Sequence, residues 1–311
     1  MKYVYGPVPS RRLGFSLGVD VVPYKTCTLD CIYCQIGRTT QKTLDRRPYD
    51  QKADILKEVK DVLNRKQQID YITFSGSGEP TLNSDIGALI KEVKASTSLP
   101  VAVLTNGTLL FMEDVQKDLM NADVVLPSLD AASAQVFRRV NRPHHSLKIE
   151  TILDGLKRFR KLFRGRIWLE IMLIKGLNDN AEELLCKRNA ISKIQPDRVH
   201  LNTVVRPPSL ISAKPLNREE MAAVKRYLGK NCEVVAEFHG HRDGEAHNVE
   251  DAIVEMAKRR PVTIVDIANV LGISEMNAGQ MISGLREKKK IEEKQYQGEK
   301  YFIHIERKNR I

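Results

Sequence analysis

The stretch GVDVVPYKTCTLDCIYCQIG, residues 18–37, reads as a short apolar strand running into a polar loop that carries three cysteines, Cys27, Cys31 and Cys34. Their spacing is C-x3-C-x2-C. Three thiolates are one too few to close a tetrahedral metal site, so a metal centre held here keeps one coordination position open. An open position favours chemistry over a purely structural role. A zinc site completed by a histidine, or three cysteines with no shared function, are the plainer readings of the same residues.

Outward from this stretch, apolar runs rich in β-branched residues alternate with amphipathic stretches of helical length, the pattern of repeated β-α units. Strands are expected near 18–22, 71–74, 101–104, 124–129, 167–174 and 199–205, with a short seventh at 233–237. The intervening helices fall near 50–65, 84–95, 112–121, 146–163, 181–193 and 218–229. In a β/α barrel the loops after the strands form the working face, and unusual polar residues gather at those positions here. The cysteine loop follows the first strand, Ser75 to Glu79 the second, and Thr105, Asn106 and Gly107 the third. Ser128 and Asp130 end the fourth, Lys175 and Gly176 follow the fifth, and NTVVRPP (202–208) surrounds the end of the sixth.

A chain of 311 residues, 42% hydrophobic and 29% charged, suffices for one domain of about 200–250 residues and a small one. No run approaches about 18 consecutive apolar residues, and the start lacks an apolar signal core, so a cytoplasmic protein without a membrane partner is expected. Disulfides are then not expected. Outside the motif only Cys186 and Cys232 remain, too few for a second four-thiolate cluster.

The net charge of +11 is unevenly spread. Between residues 137 and 166, ten Lys/Arg face only Glu150 and Asp154, and from 256 onward twelve face seven Asp/Glu. Such patches favour polyanions, nucleic acid above all. In the first patch Ile149, Ile152, Leu153, Leu156 and Phe159 form a helical stripe, so a merely solvated basic face is the competing reading.

Residues 238–248 read as a linker, and its neighbours His239, His241 and His247 fit no common metal spacing. Beyond it, helices at 249–259, 263–271 and 275–289, a tight turn at Gly272 and two strands at 291–295 and 300–305 resemble a winged helix-turn-helix domain. The division expected is 1–237, 238–248 and 249–311.

The cysteine spacing, with Tyr33 just before the third cysteine, resembles the signature of the radical S-adenosylmethionine (radical SAM) enzymes. The runs at 5–40, SLDAASAQVFRRVNRPHH (128–145) and IMLIKGLNDN (171–180) resemble a group of that superfamily related to the wyosine, tRNA-modifying synthases. The resemblance covers about residues 1–235. It implies an α/β fold, a partial (β/α)6 TIM-like barrel, and one [4Fe-4S] cluster on Cys27, Cys31 and Cys34 whose free iron is chelated by SAM. Reductive cleavage would yield a 5′-deoxyadenosyl radical that removes a substrate hydrogen, with flavodoxin or ferredoxin as low-potential electron donor.

The resemblance also assigns binding residues. Gly78 and Glu79 match the segment that binds the SAM amino group, although the order Gly76-Ser77-Gly78-Glu79 places a serine within the usual glycine pair. Ser128 and Asp130 match residues that bond the ribose or carboxylate, with helix capping as the alternative for Asp130. Thr105 and Asn106 have a similar claim against a simple turn. One of Arg138, Arg139 and Arg142 would pair with the SAM carboxylate. Tyr33 would lie against the adenine edge, and Ile174 and Gly176 resemble the adenine-contacting turn. For the substrate, position alone nominates Lys175, His200, Asn202 and Arg206, with Cys232 as a hydrogen donor.

Wyosine synthases carry a second cluster on upstream cysteines, and no cysteine precedes Cys27 here. The substrate expected is therefore RNA or another macromolecule, including protein. The rival class is a regulator with an iron–sulfur redox sensor and a nucleic-acid-binding winged helix as output. Glu79 and Ser128 speak against it, because a sensor needs no SAM pocket.

Overall fold

The structure, a computed structural model, describes residues 2–65, 67–235 and 249–305. In chain order its first part consists of β1 (Val4–Ser10), β2 (Gly14–Val19), β3 (Thr26–Cys27), β4 (Gln41–Lys42), α1 (Lys52–Leu63), β5 (Tyr71–Phe74), α2 (Ile86–Ser96), β6 (Val101–Thr105) and α3 (Glu113–Leu119). There follow β7 (Val124–Pro127), α4 (Ala134–Val136), α5 (Ile149–Leu162), β8 (Arg166–Leu173), α6 (Ala181–Ile194), β9 (Arg198–Thr203), α7 (Arg218–Leu228) and β10 (Cys232–Val234). One eight-stranded sheet has the order β1-β2-β5-β6-β7-β8-β9-β10. Only β1 runs antiparallel to its neighbour; every other pair in the sheet is parallel.

The expected strands are present, with two differences. The first lies at 14–19 rather than 18–22, and β1 precedes it. Pro7 and Pro9 argue against a central strand because proline gives no N–H to a ladder. β1 satisfies that constraint by sitting at the sheet's edge, with an irregular register between Tyr5 and Val8.

Alternation along β8 shows how the faces divide. Ile167, Leu169, Ile171 and Leu173 enter the main core with apolar residues of the helices, such as Leu156 and Phe159 of α5. Trp168 points to the other face and packs with Leu13, Ala102, Val124 and Leu126. That inner face is curled. Five inter-strand spacings separate β2 from β9, about 24 Å in a flat sheet, yet Arg11, in the turn just before β2, donates to Asn202 Oδ1 of β9 at 3.0 Å. Neighbouring Arg12 contacts the Glu170 carboxylate of β8. The sheet does not close, since β1 and β10 are its two edges.

The second part contains α8 (Val249–Arg259), α9 (Ile264–Leu271), α10 (Glu275–Glu287) and the antiparallel hairpin β11 (Ile291–Tyr296) and β12 (Glu299–His304). Thr263 caps α9 by accepting from Asp266 N–H at 3.0 Å, while Asp266 accepts from Thr263 N–H at 3.2 Å. Gly272 ends α9 at φ 64°, a left-handed conformation in which glycine is at ease. These elements share their own core, with Ile253, Ala257, Val262, Ile267, Ile282 and Phe302. The unit docks on the first: Val8 of β1 packs against that core, and Tyr301 donates to Val205 O at 2.7 Å. The linker expected at 238–248, with His239, His241 and His247, lies outside the described residues. No described helix is long and apolar enough to cross a membrane.

Candidate active site

The cysteines follow β2 on a loop held from two sides. Asp30 N–H donates to Asn141 O and Ile32 N–H to Val140 O, both at 3.0 Å. These carbonyls belong to Phe137–Asn141, a turn of π-helix, a local widening that functional sites often carry. On the other side Lys25 N–H donates to Ser77 O at 2.7 Å and Glu79 N–H to Thr26 O at 3.0 Å.

Each cysteine sulfur meets one N–H donor from a different part of the chain. Lys25 Nζ lies 3.3 Å from Cys34 Sγ, Asn141 Nδ2 3.4 Å from Cys31 Sγ, and Asn106 Nδ2 3.5 Å from Cys27 Sγ. Donors aimed at sulfur stabilise thiolate and tune a cluster held by it. Burial, reinforced by Glu79, pushes the Cys27 thiol up to about 12. Burial, with Asp130 and the other two cysteines, likewise raises Cys31. No three His, Cys, Asp or Glu side chains among the described residues converge on a single metal ion. In an iron–sulfur cube each thiolate holds a different iron. Three thiols, each with a side-chain N–H aimed at its sulfur, fit an iron–sulfur cluster.

Between the two glycines, Ser77 is occupied structurally. Its N–H and hydroxyl both donate to Asp20 Oδ2, at 3.1 and 2.6 Å. At Gly78 an added Cβ would sit 2.0 Å from Thr26 O, so only glycine permits this close approach. Glu79 is buried, and its Oε1 accepts from Thr81 N–H (3.1 Å), Thr81 Oγ1 (2.6 Å) and Thr105 Oγ1 (2.6 Å). Oε2 accepts from Asn106 N–H at 2.7 Å. Burial raises the Glu79 pKa against the pull of these donors. The carboxylate thus fixes the turn that presents Asn106 to Cys27, and Oε2 retains a further acceptor direction.

Asp130 is neither a helix cap nor exposed. Ser133 caps α4 instead. Asp130 Oδ2 accepts from Tyr33 OH and, at 2.8 Å, from Asn141 Nδ2; Oδ1 accepts from Met172 N–H at 2.9 Å. Asn178 continues the network, donating to Asp130 O at 2.8 Å and Met172 O at 2.7 Å, and accepting from Ile174 N–H at 2.7 Å. Beneath it the fully buried Lys187 donates to Asn178 O at 2.6 Å and lies 3.5 Å from Glu183. Tyr33 is therefore tied to the end of β7, and Ile174 to the turn after β8.

Ser128 sits beside Thr105, donating its N–H to Thr105 O at 3.0 Å. Arg138 and Arg139 are exposed on the π-helical turn. Arg142 has φ 46°, and its carbonyl accepts from Asp30 N–H and Lys42 Nζ. Gly176, at φ 72°, is exposed and donates to Asp179 Oδ1.

Several substrate candidates are not gathered at the strand ends. Cys232 begins β10 and pairs with Val199, so it lies at the amino end of the strands, opposite the cysteine loop. His200 sits in the first half of β9 against Trp168, and burial, with Arg12, pushes its pKa down to about 4. The strand expected at 199–205 already placed His200 near its amino end, and the observed β9 keeps it there, away from the carboxyl-end loops. Lys175 is half-exposed and paired with Glu220 at 2.6 Å. Arg206 turns to Asp266 of α9 at 3.4 Å, and Asn202 is held by Arg11 on the inner face. Lys25, Asn141 and Asn178 were not singled out from sequence. The last two lie inside the motif runs quoted above, and Lys25 is two residues before Cys27.

A family model described as the Radical SAM superfamily matches residues 21–186. A Brachyspira hyodysenteriae protein described as GTPase Obg is 40% identical over 296 residues, covering 94% of this chain but only 44% of that protein. The chain thus spans less than half of that relative. A UPF0026 protein of Methanocaldococcus jannaschii is 32% identical over 310 residues, 97% of this chain and 96% of that one. Among solved structures, a radical SAM methyltransferase from Sphaerobacter thermophilus shares the fold, with a TM-score of 0.57 at 15% identity over 71% of this chain and 66% of that one.

Proposed function

The chain belongs to the radical SAM superfamily and is an enzyme of that class, and from this premise we propose that Cys27, Cys31 and Cys34 hold one [4Fe-4S] cluster, that SAM fills its open iron, and that RNA is the substrate. The observation that carries the cluster assignment is the side-chain N–H donor at each of the three sulfurs. Bound there, cluster and SAM supply reductive cleavage of the sulfonium and a carbon radical that removes a substrate hydrogen.

The chain's own residues orient this chemistry. Asn106, Asn141 and Lys25 fix and polarise the sulfurs. Glu79 braces the Thr105–Asn106 turn and offers Oε2 to the SAM amino group. Gly78 lets the backbone approach, Ser128 faces the ribose, and one of Arg138, Arg139 and Arg142 pairs with the carboxylate. Tyr33, Ile174 and Gly176 border the adenine, while Asp130 holds Tyr33 and the β8 turn in place. The curled sheet is then a partial barrel with its working face at the carboxyl ends of the strands, and the C-terminal unit is a winged helix that engages a macromolecule. Flavodoxin or ferredoxin would deliver the electron in the cytoplasm.

RNA is supported by the basic balance of the chain, by the resemblance of its motif runs to those of tRNA-modifying enzymes, and by a Shouchella clausii relative described as a probable dual-specificity RNA methyltransferase, 25% identical over 250 residues. The test is anaerobic reconstitution followed by dithionite and SAM. Formation of 5′-deoxyadenosine is expected; an intact cluster that binds SAM without producing it would favour the sensor-regulator reading. Comparing modified nucleosides in RNA from cells with and without the gene tests the substrate.

A further inference from the structure

Behind the proposed SAM site, where the sheet's inner face meets the C-terminal unit, arginines converge from three segments: Arg11 and Arg12 of the β1–β2 turn, Arg206 after β9, and Arg260 between α8 and α9. Their partners are fewer. Arg12 contacts Glu170. Arg11 donates to two neutral oxygens, Asn202 Oδ1 at 3.0 Å and Val235 O at 3.3 Å. Among the described residues Asp266 serves both Arg206, at 3.4 Å, and Arg260, at 3.9 Å. The side chains of Arg206 and Arg260 are only 13% and 19% exposed. Arg206 Nε and Arg260 Nη2 are buried with no hydrogen bond among the described residues.

Burial, and then the neighbouring guanidiniums, press the pKa of Arg11 down to about 9 and that of Arg260 to about 10. A guanidinium keeps its proton in a protein, so this crowding registers as cations held close together. Buried cations with unused donors are costly unless an anion pairs with them. The cluster also adjoins the proposed chemistry. Glu170, partner of Arg12, is bridged to Ser128, and Tyr5, within electrostatic reach of Arg260, bonds Ser75 Oγ at 2.8 Å just before the glycine-rich loop.

We propose that Arg206 and Arg260, with Arg11 beside them, form a seat for a phosphate group of the substrate, carried by a free nucleotide or by an RNA terminus. Planar guanidiniums match phosphate oxygens in pairs, and two cations sharing one carboxylate leave charge for a dianion. As a substrate subsite the seat rests on the radical reading above, but phosphate binding itself does not require the cluster.

The test is calorimetric titration of the full chain, without cluster, with inorganic phosphate, adenosine 5′-monophosphate and a 5′-phosphorylated RNA oligonucleotide. Saturable phosphate binding is expected, weakened about 10-fold or more in Arg206→Gln and in Arg260→Gln, as loss of a charge-assisted pair implies, and largely kept in Arg260→Lys. Asp266→Asn supplies the opposite sign: removing the competing carboxylate tightens phosphate binding if the seat is real. If these arginines only dock the C-terminal unit, Asp266→Asn weakens binding or leaves it unchanged, which overturns the proposal, as does absence of saturable binding to the unmodified chain. Competition by the nucleotide alone identifies a free nucleotide, and competition by both probes an RNA end. SAM cleavage is assayed separately on reconstituted protein. A chain that cleaves SAM but ignores phosphate sinks the seat alone, whereas one that binds phosphate but leaves SAM intact sinks the radical reading.

Discussion

Lys25 places an ammonium against Cys34 Sγ at 3.3 Å, while the other two sulfurs receive neutral amide donors. A cation beside a cluster favours the state with one more electron, so Lys25→Met should lower the reduction potential. A charged hydrogen bond is worth roughly 1.5–3 kcal/mol, and about 1.4 kcal/mol corresponds to roughly 60 mV for a one-electron couple. A fall on the order of 60 mV, read by EPR-monitored titration, is the expected result; an unchanged potential would remove Lys25 from this role. Iron content should drop sharply in Cys27→Ala, Cys31→Ala or Cys34→Ala, each of which removes a thiolate. The candidate ligands were legible at this scale because cysteine spacing is a local signal. Lys25, Asn106 and Asn141 reach sulfur through tertiary folding, with Asn141 more than a hundred residues from its partner, and spacing carries no trace of that.

At the scale of elements, the loop after β2, the end of β7, the π-helical turn and the turn after β8 are joined through Asp130 and Asn178. Lys187 on α6 supports the assembly from below, fully buried beside Glu183. Lys187→Met would strand Glu183 and should destabilise the chain by about 3–5 kcal/mol, measured by urea unfolding. Burial lowers the Lys187 pKa from 10.5 to about 8. Between these values the unfolded chain binds more protons than the folded one, so this position's contribution to stability rises with pH across that window. Unfolding curves for the unmodified and Lys187→Met chains at several pH values check the sign. The helices were readable from apolar periodicity, and of the stripe that the sequence indicates α5 buries Ile149, Ile152, Leu156 and Phe159, with Leu153 half-buried against the same core. β1 was not, because its prolines mark an edge strand only once the sheet around it is known. His200 and Cys232 lie toward the amino ends of β9 and β10, where the strands expected at 199–205 and 233–237 already placed them.

Across the whole molecule, the basic face of α5 is partly committed at home: Lys157 pairs with Asp154 and Arg160 with Asp197. RNA affinity, if carried by the remaining bases, should fall linearly with log salt, with a slope of about −0.7 for each phosphate contacted on a single strand. Filter binding over a range of potassium chloride concentrations reads it, and no binding at low salt would exclude RNA as a ligand of this surface. The α/β character and the cysteine loop were apparent from sequence and a partial barrel was implied by the resemblance, whereas the contacts of Arg11 and Arg12 across the curl were not, since they join strands that are far away in order. The docking of α8 and α9 along β1 has one more consequence, for solubility. β1 is the sheet's antiparallel border, and an uncovered border offers unpaired peptide groups to any neighbouring molecule. A chain shortened to residues 1–248 should therefore self-associate by strand templating, growing in light-scattering mass with concentration, while the full chain stays constant; the C-terminal unit then acts as an edge guard against aggregation.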